Sequence, residues 1–285
     1  MIVDIHTHMF PEKIAASALQ SMQGKCHTAL FSDGTAGGLS AHEKAAGVDL
    51  AVIQPVATAP KQVPHINDSV LATNQKYGVP AGLLSFGAMF PGFEAWEEEL
   101  ERLAEQGVKG IKLHPAYERV RIDDPSSVAI LRKCRDLGLI VFIHSGYDVG
   151  LPGAEEALPA KVRRALDAVG PMHLIAAHMG GWRSWEEAAR LLPETGIYID
   201  TAFSLGVLTP APDGYPWRQE ELRMLGDREF LDIIRCFGAD HVLFGTDSPW
   251  ADPGQELSQI RSLGLAEDEI NQICGGNAVK LLGLR

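Results

Sequence analysis

Eight short apolar runs, each followed by a stretch of helical length, constrain the fold more than any other feature of the chain. They read MIVDIH, LAVIQPV, VPAGLLSFGA, VKGIKLH, LIVFIHS, MHLIAAH, IYIDTA and HVLFGTD. Runs that are apolar nearly throughout are those of strands buried on both faces, as in a parallel sheet wrapped by helices. Between them lie helix-like segments such as FEAWEEELERLAEQG, DPSSVAILRKCRDLG and REFLDIIRCFGAD, several closed by the glycine that commonly ends a helix. Eight such units predict an α/β fold, a (β/α)8 TIM barrel, as a single domain over residues 1–285. A doubly wound open sheet is the rival, but it usually has fewer strands, and the first turn here lacks a Gly-rich phosphate loop.

Composition narrows the partners. With a formal net charge of −12, a phosphate-tracking nucleic-acid surface or an anionic membrane is a poor match, so a small-molecule substrate is expected and self-association is left open. No apolar stretch approaches the roughly 18 residues of a spanning helix. The opening MIVDIHTH has neither the basic start nor the apolar length of a secretory signal, and a cytoplasmic location is expected. Cys26, Cys134, Cys236 and Cys274 are far apart with no C-x-x-C pair, so reduced thiols are expected rather than a thiolate zinc site or a disulfide framework.

The chemistry lies at the strand ends. The predicted strands close with His6 and His8, Lys112 and His114, His144, His178, Asp200, and Asp247. Parallel barrel strands deliver their C-terminal ends to one rim, so these distant residues are expected to converge. His6, His8, His144 and Asp247 would supply three nitrogens and one oxygen to one divalent ion, with zinc the expected metal. His178 then stands beside the metal. Asp200 in YIDTA reads as a cap or Asx turn, a reading also open to Asp247. His27, His42, His65 and His241 fall where solvent is expected, and His173 opens a strand at the opposite end. Strand alternation puts Lys112 and His114 on one side. Three irregular segments, residues 23–38, 145–158 and 203–226, each follow a strand and are candidate pocket walls. Tyr147, Trp182, Tyr215, Trp217 and Trp250 are the aromatic candidates for lining it.

DIHTH, VFIHSG, IAAHMGG, LFGTDSPW and the closing GGNAVKLLGL resemble the amidohydrolase superfamily, specifically its amidohydrolase-related branch of TIM-barrel metal-dependent enzymes. The resemblance runs from Asp4 to Leu284. It implies one divalent metal held by His6, His8, His144 and Asp247, with His178 contacting the metal-bound water or the substrate. The branch includes hydrolases of lactones, esters and amides, and non-oxidative decarboxylases of aromatic or muconate-type acids. A carboxylated lysine bridges two metals in binuclear relatives, and Lys112 lies near that place; an uncarboxylated Lys112 binding a substrate carboxylate or oxyanion is favoured. The expected activity is hydrolysis of a small carboxylate-bearing ester, lactone or amide, Asp247 acting as base and His178 holding the water. Decarboxylation is the alternative, with the lack of an evident arginine cluster after the first strand counting against it.

Overall fold

In the computed structural model, which describes residues 1–284, each of the eight apolar runs becomes a barrel stave. The strands are β1 Val3–Thr7, β2 Leu50–Ile53, β3 Leu83–Ser85, β4 Gly87–Ala88, β5 Gly110–Leu113, β6 Ile140–Ile143, β7 Leu174–Ala176, β8 Tyr198–Asp200 and β9 Val242–Leu243. β3 and β4 are two halves of one stave, broken at Phe86, whose N–H donates to the Ile53 carbonyl at 3.0 Å. All pairings are parallel and follow chain order. The ring closes where β9 returns to β1: Ile5 N–H donates to Phe244 O at 2.9 Å and Asp247 N–H to His6 O at 2.8 Å. The chain is therefore a (β/α)8 barrel.

The expected helices form between the staves. Pro125–Leu137 is typical: Asp124 caps its start by accepting from Ser126 N–H, Pro125 occupies the first turn, and Gly138 ends it in the left-handed conformation at φ 71°. Val3, Ile5, Leu50, Val52, Phe86, Phe142, Ala177 and Leu243 pack together inside the barrel. A larger apolar layer lies between staves and helices, with Leu100, Leu103, Ile111, Val141 and Phe230 among its members. Ala278 and Leu282 of helix Asn277–Leu282 join the interior cluster beside Val3 and Leu50, which start their strands. That seals the N-terminal end and leaves chemistry to the C-terminal rim. There a third cluster of Leu19, Trp182, Phe203, Leu208, Met224 and Trp250 walls the opening. No helix among the described residues is long and apolar enough to cross a membrane.

Candidate active site

The aim of His6 depends on an irregularity in β1. Asp4 pairs with Ala51 but Thr7 with Ile53, so three steps on β1 meet two on β2, the signature of a bulge. Ile5 packs in the barrel interior, and His6, next along, also turns inward, its ring 4.7 Å from that of Phe142. Asp4 faces the other way, on the side where its partner Ala51 packs against Leu39. Two side chains take up backbone groups at the bulge: Asp4 Oδ1 accepts from His6 N–H at 3.0 Å, and Gln54 Nε2 donates to Ile5 O at 2.9 Å. Asp4 also accepts from Thr246 N–H at 3.1 Å and from its hydroxyl at 2.6 Å, stitching DIHTH to GTDS. A Cβ at Gly245 would stand 2.9 Å from that of His6, so only glycine lets the chain just after β9 pass this closely.

Five side chains converge on the rim. His6, His8 and Asp247 place ligand atoms within 4.8 Å of one another, with His8 Nε2 3.0 Å and His6 Nε2 3.3 Å from Asp247 Oδ1. The His178 ring lies 5.0 Å from that of His6, and His144 lies across from it, Nδ1 to His178 Nε2 at 3.2 Å. Proton positions follow from the outer contacts. His144 Nε2 is 2.9 Å from Tyr147 O, and His178 Nδ1 is 3.0 Å from Ala202 O. A carbonyl only accepts, so those nitrogens carry the protons and the two facing nitrogens are bare. Burial holds both rings neutral, lowering His144 to about 4 and His178 to about 3. Two lone pairs thus oppose each other with no proton to share, beside the Asp247 carboxylate. A divalent cation resolves that opposition, and imidazole nitrogens that donate their outer N–H to oxygen are the usual ligands. His6 follows the same rule, with Nδ1 3.0 Å from Asp200 Oδ2. The residues fit the metal.

His178 and Asp247 hold left-handed backbone, at φ 60° and 68°. Non-glycine residues reach that region at a cost of about 1–2 kcal/mol, and such strain clusters at functional sites. Asp200 anchors the first of these turns: its Oδ1 accepts from the N–H of His178 at 2.9 Å and of Ala202 at 3.0 Å. It therefore makes the expected Asx turn, but it also orients His6 and fixes His178, two roles the turn reading leaves out. Asp247 is not the cap of the following helix; Asp252 is, accepting from Gln255 N–H.

The donor set opens onto a cavity of about 320 Å³. Lys112, His114, Tyr147, Trp182 and Trp250 all line it, as expected. Lys112 is buried, its ammonium 4.2 Å above the Phe142 ring, and burial lowers it to about 8 against the pull of Asp247 and Asp200. His114 stacks on His144, rings 4.3 Å apart and 10° from parallel. Tyr215 and Trp217 are not among the lining residues. Tyr215 stacks on His27 at 3.9 Å and Trp217 Nε1 donates to His27 O at 3.0 Å, so they pin one rim loop to another. His27 and His42 are not simply solvated, since each meets a carboxylate, Asp213 at 2.7 Å and Asp252 at 3.0 Å. Sequence reasoning missed Asp148, which lines the cavity and which burial raises to about 6. It also missed Gln54 and Asp4. Asp148 sits in the loop already marked as a pocket wall, but nothing in GYDVG distinguishes it from a turn aspartate.

Fold and site together define a class: a (β/α)8-barrel enzyme with a histidine–aspartate centre suited to a divalent cation. The chain belongs to the amidohydrolase family, whose model matches residues 3–284. It is similar to a 2-amino-3-carboxymuconate-6-semialdehyde decarboxylase of Dictyostelium discoideum, 26% identical over 251 residues. That match takes in 77% of this chain and 66% of the relative, just under two thirds of the relative's length. Among solved structures, a dihydroxybenzoic acid decarboxylase from Polaromonas, with bound manganese and the inhibitor 2-nitroresorcinol, superposes with a TM-score of 0.68 at 14% identity, covering 99% of this chain and 96% of that one. A protein from Pseudomonas putida assigned as a 2-pyrone-4,6-dicarboxylic acid hydrolase gives 0.65 at 17% identity, covering 99% and 97%. At these identities the likeness to both structures is one of fold.

Proposed function

We propose that the chain is a metal-dependent non-oxidative decarboxylase of a small aromatic or muconate-type acid. One observation carries the reading: bare, buried ring nitrogens and Asp247 open onto a cavity walled by Phe10, Met22, Trp182, Phe203 and Trp250, with the Lys112 ammonium inside it. Such a wall suits a flat unsaturated acid, and stripping water from its carboxylate raises the energy of the charged ground state. When bound, a divalent ion supplies the charge that holds the substrate's oxygens and draws electron density from the breaking bond. Zinc is the proposed ion, because imidazole nitrogen with one carboxylate is its preferred company.

Lys112 pairs with the substrate's carboxylate or a neighbouring oxygen. The bond from carbon to the carboxyl group breaks, CO₂ leaves, and the carbon takes a proton in its place. Asp247, ionised at rest, takes a proton from a bound water or a substrate hydroxyl and hands it to that carbon, and His178 keeps the reacting group oriented. The missing arginine cluster loses its weight as an objection, because Lys112 brings a cation into the cavity from β5. The decarboxylases among the similar proteins support this ranking, and the expected hydrolase reading, which shares the donor set, gives way to it.

The test is a panel of carboxyl-labelled dihydroxybenzoates and muconate-type acids assayed beside lactones and esters. Labelled CO₂ is expected. Ring opening of a lactone with no CO₂ from any acid would restore the hydrolase.

A further inference from the structure

Asp148 lies in the loop after β6 and brings to the cavity a carboxylate that the metal reading leaves unused. Its Oδ1 accepts from Gly150 N–H at 2.8 Å. Its Oδ2 lies 3.5 Å from His114 Nε2 and 3.7 Å from His144 Nε2, beyond the usual range of about 2.7–3.2 Å for N–H···O bonds. His144 Nε2, moreover, already donates to Tyr147 O. The carboxylate, 10% exposed, thus brings to a largely apolar cavity an oxygen that makes no side-chain hydrogen bond of ordinary length. An acceptor placed so is free to take a hydrogen bond from the donor group of a molecule bound in the cavity.

A second cation is the other way to satisfy it, since His114, His144 and Asp148 place ligand atoms within 4.8 Å of one another. Yet His144 Nε2 gives its proton to Tyr147 O and His144 Nδ1 faces His178, so neither nitrogen is free for it. The His144 ring also separates the two halves of the pocket. One of its edges faces His178 and the donor set, while the other faces Tyr147 O and Asp148.

We propose that Asp148 receives a hydroxyl or amino group of the substrate remote from the carboxyl group that leaves. Asp148 is then the specificity-determining residue that selects among unsaturated acids by their distal substituent. The departing carboxyl group rests on the decarboxylase reading; the distal donor does not.

The experiment uses the metal-loaded full chain and five probes: 2-hydroxybenzoate and its 2,3-, 2,4-, 2,5- and 2,6-dihydroxy relatives. Binding is measured by calorimetry and CO₂ release is followed in parallel. One dihydroxy isomer should bind about 10- to 100-fold more tightly than 2-hydroxybenzoate, the range set by a hydrogen bond to a charged group. Asp148→Ala should reduce that ratio to below about threefold, and Asp148→Asn, which keeps an acceptor oxygen, should retain part of it. If Asp148 only braced its loop through Gly150, both ligands would weaken alike and the ratio would hold. A preserved ratio in Asp148→Ala, or no preference in the parent protein, overturns the proposal. Absence of CO₂ from all five probes with the Asp148-dependent preference intact would count against the decarboxylase alone.

Discussion

His144 and His178 meet through two nitrogens that carry no proton, 3.2 Å apart, an arrangement that calls for a cation. The five rim residues were legible in the sequence because each ionisable group closes an otherwise apolar run, and a parallel barrel brings such ends together. Asp148 and Gln54 were not, since a polar residue in a polar loop carries no periodic signal. Asp247 and His178 differ in what they can do. Asp247→Asn keeps an oxygen ligand but cannot carry the proton, so activity should fall by about 10²- to 10⁴-fold with metal largely retained. His178→Asn still offers a hydrogen bond and should lose less. Steady-state rates with metal content measured on the same samples check this. A dead His178→Asn beside a nearly normal Asp247→Asn would make the histidine the proton carrier.

At the scale of the element, β1 departs from the alternation its letters suggest. DIHTH read as a regular strand would put Asp4, His6 and His8 on one face. The bulge instead sends Asp4 outward while His6 and His8 face Asp247. No residue type in the motif announces this; it follows from how β1 must meet both β2 and the tight passage of the chain after β9 at Gly245. Asp4→Ala removes the acceptor of His6 N–H and of both Thr246 donors, and unpaired buried groups of this kind cost about 1–3 kcal/mol each. That variant should unfold at lower denaturant and bind metal more weakly, as read by denaturation and by competition with a chelator. Lower stability with parental metal affinity would mean that the bulge does not aim His6.

Across the whole molecule, the outward Asp4 belongs to a second acidic group, behind the barrel wall. Glu43 of helix Ala36–Ala46 and Glu256 of helix Pro253–Ser262 are buried, and neither oxygen of Glu43 has a partner among the described residues. Burial, reinforced by Asp4 and Asp252, raises Glu43 to about 10 and Glu256 to about 8. Both are protonated in the folded chain near neutral pH, whereas the unfolded chain releases these protons around its ordinary value of 4.5. The folded state then binds more protons, so stability is fullest below that value and falls as pH rises towards the folded pKa values. Glu43→Gln removes one such group. Its stability relative to the parent should grow between about pH 5 and 8 by up to about 1.4 kcal/mol per pH unit, measured by chemical denaturation at several pH values. A pH-independent difference would show that Glu43 is not held protonated. The overall barrel was plain in the sequence, but this buried acid was not, because helix residues reveal their burial only when the outer layer is assembled.

Stripping the chain of metal and titrating it back tests the central claim most directly. CO₂ release from a labelled acid that the parent protein turns over should vanish in the stripped protein, rise linearly with added Zn²⁺, and break at one equivalent per chain. Activity that survives stripping, or a break at two equivalents, would contradict a single cation held by His6, His8, His144 and Asp247 with His178 beside it.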